Sequence, residues 1–150
     1  MNTDCKLCAR EFKSNYVIFE QDGWLIRHSE ETNILGYFIL QPIRHFLDLS
    51  EATAEESTGY GVILSALMKS IRKLTDCHRI YTFSLAEAVP HYHLHVIPKS
   101  QGFPRTYSGR GIMSYPTSPG ASEELVETIC ERTGRLLTRQ PSAGERTYSR

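Results

Sequence analysis

Three histidines alternate with apolar side chains in Pro90-His91-Tyr92-His93-Leu94-His95-Val96-Ile97-Pro98, and few backbone arrangements accommodate that run. As a strand, its period of two puts all three imidazoles on one face and sends Tyr92, Leu94 and Val96 toward a core. Imidazole acts as a nucleophile and as an acid or base near neutral pH, so such a face concentrates reactive groups. The chain holds only six histidines, and three in strict alternation are hard to place as incidental surface. On the residues alone two chemistries stay open: an imidazole nucleophile, or a His-x-His pair chelating a catalytic metal.

A chain of 150 residues suits a single domain with a proper core. Seventeen basic residues balance seventeen acidic ones, which removes any bulk attraction to nucleic acid or to a membrane surface. Sequence-specific nucleic-acid binding and membrane association are therefore not expected, whereas a local cluster can still hold a small polyanion. The N-terminus opens on Asn2, Thr3 and Asp4 without an apolar stretch, and a cytoplasmic location is expected. Disulfides are disfavoured there, so Cys5-Lys6-Leu7-Cys8 reads as a metal or redox pair.

Around these motifs the pattern predicts an α+β fold with a mainly antiparallel sheet of about five strands and two helices. Residues 16–20 and 24–27 read as strands joined by Gln21-Asp22-Gly23, a hairpin turn in which Gly23 takes positive φ. A third strand is expected over 35–41, stopped by Pro42. Thr53 followed by Glu56 is a capping box for a helix over 53–75, with Val62, Leu64, Leu67, Met68, Ile71 and Leu74 recurring at helical spacing. Further strands fit 79–85 and 92–97, and a loop rich in proline and glycine fills 98–120. A second helix fits 122–139. Residues 1–139 thus form one domain, and 140–150 read as a flexible polar tail.

The run His-φ-His-φ-His-φ-φ, with φ apolar, resembles the signature of the histidine triad (HIT) superfamily of nucleotide hydrolases and transferases. Gly36-Tyr37-Phe38-Ile39-Leu40-Gln41-Pro42-Ile43-Arg44-His45 is similar to that family's strand ending in proline, a basic residue and histidine. With the intervening helix, the resemblance spans residues 5–98. It implies a HIT-like fold in which His93 attacks the α-phosphorus of a nucleotide and forms a covalent nucleotidyl-imidazole that water resolves. His95 then contacts the phosphate and assists. The expected activity is hydrolysis of a nucleoside phosphate derivative, such as a dinucleoside polyphosphate or phosphoramidate. Nucleotidyl transfer, phosphorolysis, or regulatory nucleotide binding with little catalysis are the alternatives.

The resemblance also implies a zinc site, because the family's zinc-bearing branch joins an N-terminal Cys-x-x-Cys to the proline-strand histidine and the first triad histidine. Here these are Cys5, Cys8, His45 and His91. Four protein ligands close the coordination sphere, which is structural zinc, and leave His93 free as a nucleophile. Substrate contacts are expected from Ile26, His28 and Ser29, with Glu30, Glu31 and Asn33 nearby. Glu87 and Ala88 stand where many members carry glutamine and serine or threonine. A carboxylate repels phosphate, so Glu87 fits a proton acceptor or an outward-facing residue. Tyr37 replaces the usual histidine after Gly36. Lys99, Arg105 and Arg110 either close over a phosphate chain or form a solvated turn. A homodimer, paired through the long helix and an adjoining strand, is the family expectation.

Overall fold

The computed structural model of the chain describes residues 4–139; the tail expected from Gln140 onward lies outside the described residues. Five strands form one antiparallel sheet: β1 (Val17–Gln21), β2 (Trp24–His28), β3 (Phe38–Pro42), β4 (Arg79–Phe83) and β5 (Leu94–Lys99), in the order β1-β2-β3-β5-β4. Two helices, α1 (Ala54–Leu74) and α2 (Glu123–Thr138), pack on one face, as the α+β expectation required.

Asp22 at φ 54° and Gly23 at φ 80° join β1 to β2 with both turn residues left-handed. That is the two-residue hairpin geometry whose twist matches the flanking strands. β3 begins at Phe38 rather than at Leu35, because Gly36 turns the chain at φ 83° and donates its N–H to Nε2 of the buried His28 at 3.0 Å. The strand enters the sheet only after that turn.

Thr53 caps α1 with the expected box: its hydroxyl accepts from the Glu56 N–H, and the Glu56 carboxylate accepts from the Thr53 N–H. The buried stripe of α1 is Ile63, Leu67 and Ile71, with Gly59 and Ser70 beside it. Ile63 thus joins the core, while Val62, Leu64, Met68 and Leu74 stay half-exposed on either side of the stripe. The helix lies over Trp24, Ile26, Phe38, Leu40, Leu94 and Val96 from the sheet. The Trp24 indole N–H donates to the Glu56 carbonyl at 2.9 Å, which ties helix start to hairpin. The segment 98–120 carries two short 3-10 turns, Arg105–Tyr107 and Gly109–Ser114.

β5 begins at Leu94, two residues later than expected. Tyr92 does turn its ring into the core beside Trp24, Phe46 and Tyr60. Its backbone N–H, however, donates to the Phe46 carbonyl at 2.7 Å instead of joining the sheet ladder. The first triad histidine is consequently held by contacts outside the sheet.

Candidate functional site

His91 is fully buried at the edge of the sheet. Its Nε2–H donates to the Pro42 carbonyl at 3.0 Å, so the lone pair sits on Nδ1. That nitrogen lies 3.4 Å from the Cys5 sulfur and 3.5 Å from the Cys8 sulfur. His45, three residues past the end of β3, presents its own Nδ1 to Cys8 at 3.5 Å. The four donor atoms all lie within 4.8 Å of one another. In a tetrahedral site with ordinary zinc bond lengths, sulfur and nitrogen ligands stand about 3.6 Å apart. Two thiolates and two imidazoles at this spacing form a Cys2His2 centre suited to structural zinc, and the bond to Pro42 supplies the outer support that fixes ring and tautomer. The Cys8 N–H directed at the Cys5 sulfur at 3.5 Å folds the Cys-x-x-Cys turn around the same point.

The other two triad rings face the side of the sheet away from the helices. His93 donates Nδ1–H to the His91 carbonyl at 2.8 Å. A carbonyl can only accept, so Nε2 of His93 carries the lone pair and is left for chemistry. His95 follows on β5, its ring centroid 5.0 Å from that of His93. Phe83 stacks on it at 4.6 Å and 19°, and the Tyr37 hydroxyl lies 2.7 Å from its Nδ1. Burial lowers the pKa of His95 to about 4, with His93 and Arg27 acting in the same direction, so the ring stays neutral at physiological pH. Burial raises Tyr37 to about 12, so the phenol keeps its proton.

The residues expected on β2 as substrate contacts fall on a different face of the sheet from His95. Strand parity sends Trp24, Ile26 and His28 to the helix-covered face, whereas Leu25 and Arg27 share the face of His93 and His95. Ile26 is fully buried among core side chains. His28 is fully buried too: Nδ1–H donates to the Ser29 carbonyl at 2.7 Å, and Nε2 accepts from Gly36. Neither nitrogen is left for a ligand. Ser29, just past the strand, pairs its N–H with the Tyr37 carbonyl at 2.8 Å and so abuts the residue touching His95. Glu87 is exposed on the bend before the triad, and its side chain makes no hydrogen bond or ion pair among the described residues. Arg105 and Arg110 are exposed on the 3-10 turns after β5.

Two residues of the site carried no sequence expectation as contacts. Arg27, Ile39, His95 and Phe83 are successive cross-strand partners and line up across one face. Arg27 is 8% exposed; its guanidinium donates from Nε to Gln41 at 3.1 Å and lies 4.8 Å from the Phe12 ring centre. Its two terminal nitrogens have no hydrogen-bond partner among the described residues. Parity applied to 24–28 would have marked Arg27, because a charged residue at an inner-strand position needs a reason. The second is Tyr37, visible in the sequence only as a departure from histidine.

A cavity of about 110 Å3 opens beside Tyr37 and Phe83, bounded by Glu31, Thr32, Ile97 and Ile112. A larger cleft of about 640 Å3 lies elsewhere, between Leu35, Leu74, Cys77, Phe103 and Ile129. No triad histidine lines it, so its size does not make it the reactive site.

A family model described as HIT domain matches residues 10–102. Among solved structures, a Hit-like protein involved in cell-cycle regulation from Bartonella henselae superposes with TM-score 0.70 at 18% identity, covering 91% of this chain and 98% of that one. A hypothetical histidine triad nucleotide-binding protein from Sulfolobus tokodaii gives TM-score 0.67 at 16% identity, covering 89% and 90%. A zinc-bound histidine triad family protein from Mycobacterium smegmatis gives 0.57 at 22%, again covering 89% and 90%. At these identities the likeness is one of fold. No curated protein matches the chain in sequence.

Proposed function

Since the chain belongs to the HIT domain family, we propose that it hydrolyses nucleoside phosphate derivatives through a covalent nucleotidyl-histidine on His93. The observation that carries this reading is the bond from His93 Nδ1–H to the His91 carbonyl, which leaves the Nε2 lone pair open on the solvent side of the sheet. Attack by Nε2 on the α-phosphorus forms a nitrogen–phosphorus bond as the bond to the leaving group breaks. The leaving group departs with that electron pair and takes a proton from water. A second water then attacks the phosphorus, breaks the nitrogen–phosphorus bond, releases a proton to solvent and returns His93.

Neutral His95 donates to a phosphoryl oxygen as charge builds there. Arg27 supplies the positive charge of this face, and its open nitrogens suit an anionic substrate. Glu87 points outward and leaves the phosphate unopposed. Zinc, held by Cys5, Cys8, His45 and His91, supplies structural crosslinking, because four protein ligands leave no position for substrate. The nucleotide-binding and zinc-bound relatives by name support this reading. A homodimer fits the same frame, since β4 is an edge strand paired only with β5 and α1 carries half-exposed Val62, Leu64 and Met68. A monomeric mass by light scattering would exclude it.

The decisive experiment compares wild type with His93→Ala on adenosine and guanosine phosphoramidates and dinucleoside polyphosphates. Wild type should turn over at least one substrate and show a labile nucleotidyl adduct by intact mass, and the variant should do neither. Equal turnover by both sinks the nucleophile assignment. Nucleotide binding without turnover or adduct in wild type leaves the regulatory binding protein.

A further inference from the structure

We propose that Tyr37 is a positioning residue: its hydroxyl donates to Nδ1 of His95 and holds that ring as the Nε2–H tautomer facing the substrate. The inference rests on the proposed reading of His93 and His95 and adds to it what sets the polarity of the assisting ring.

The 2.7 Å contact between the hydroxyl and Nδ1 admits two directions. If Nδ1–H donated, the Tyr37 proton would have no acceptor, since His95 is its only hydrogen-bond partner among the described residues. A half-buried phenol left without an acceptor is costly, whereas the opposite direction satisfies both groups. Nδ1 of His95 therefore accepts, and the ring's proton sits on Nε2. Both rings are fixed from behind. His95 pairs across the sheet with Ile39 and Phe83 and is stacked by Phe83. Tyr37 is pinned by its carbonyl to Ser29 N–H and by the left-handed Gly36 before it.

Ionisation does not disturb the arrangement near neutral pH. The groups facing His95 are His93 at 5.0 Å, Tyr37 and the Arg27 charge; Glu31 acts on Tyr37. Burial dominates for both rings and keeps His95 unprotonated and Tyr37 protonated. A histidine at position 37 could donate or accept, depending on its own tautomer. A phenol in this environment only donates here, so the polarity of His95 is set by the residue type.

The test uses the full zinc-loaded chain labelled with 15N. Histidine ring shifts, with His95 assigned from the spectrum lost in His95→Gln, should report the Nε2–H tautomer in wild type. Tyr37→Phe retains the ring and its packing, and a thermal melt checks that it folds. In that variant the His95 signals should move toward a tautomer mixture. Its kcat on whichever nucleotide wild type turns over should fall by about tenfold to a hundredfold, with KM within about twofold. Tyr37→His should recover part of the lost rate. An Nδ1–H tautomer in wild type, or an unchanged kcat in Tyr37→Phe, overturns the proposal while the His93 reading stands. Absence of turnover and adduct in wild type instead defeats the His93 reading, and with it the role of Tyr37; the nitrogen shifts still decide the direction of the bond.

Discussion

His28 and His95 are both pushed by burial down to about 4, from the 6.5 of a free imidazole. Between those values the unfolded chain binds protons that the folded chain refuses, so stability falls as pH drops from about 6.5 toward 4 and is fully kept above that window. Zinc release adds to acid sensitivity through the ligands, so the imidazole share needs a variant that leaves the metal site alone. His28→Gln should lower the melting temperature at pH 7.5, yet lose less than wild type between pH 7.5 and pH 5. An equal loss in both proteins would remove His28 as a source of acid sensitivity. The residue illustrates what could be read from the sequence and what could not. A histidine at a strand end looks like a ligand contact, and its true partner, the Gly36 N–H, depends on how residues 29–37 loop back over β2. Tyr37 was legible only as a departure from pattern; its hydroxyl direction needed the position of His95.

Regular elements were read well where a local signal fixes them. The Thr53–Glu56 box and the Asp22-Gly23 turn act over a few residues and stand within the stretches the sequence marked, while Pro42, expected just beyond β3, is its last residue and pairs with Trp24. Glu56 also pairs with Arg44 at 2.8 Å, so the cap is tied to the strand-to-helix connection. Thr53→Ala should cost about 1 kcal/mol in a denaturant titration with unchanged slope. A loss below about 0.3 kcal/mol would mean that the Arg44 pair and the Trp24 contact hold the helix start without the cap. Boundaries set by distant residues were read less well. β5 starts late because His91 is claimed by Pro42, Cys8 and Cys5, partners 49 to 86 positions away in the chain, and the Tyr92 N–H by the Phe46 carbonyl. On β2, alternation was there to be used: it assigns Ile26 to the core and Arg27 to the face of His95.

At the scale of the whole molecule, the described residues form one sheet with both helices on one side, and no helix among them is long and apolar enough to cross a membrane. The open side carries His95 and Arg27, and the N-terminal turn is drawn to His45 and His91 through Cys5 and Cys8. About one zinc per chain is expected by elemental analysis, lost in Cys5→Ser with a lower melting temperature and early proteolysis near the N-terminus. Zinc-free wild type with unchanged stability would refute that assignment. His91 ends up with two employers: its ring belongs to the metal cluster and its carbonyl orients His93. Thermodynamic reciprocity then applies, since whatever steadies that peptide for one occupant steadies it for the other. A nucleotide monophosphate seated at His93 should therefore raise the affinity for zinc, so that less metal passes to a competing chelator at equilibrium. An equal zinc dissociation constant with and without nucleotide would show that the two occupants ignore each other.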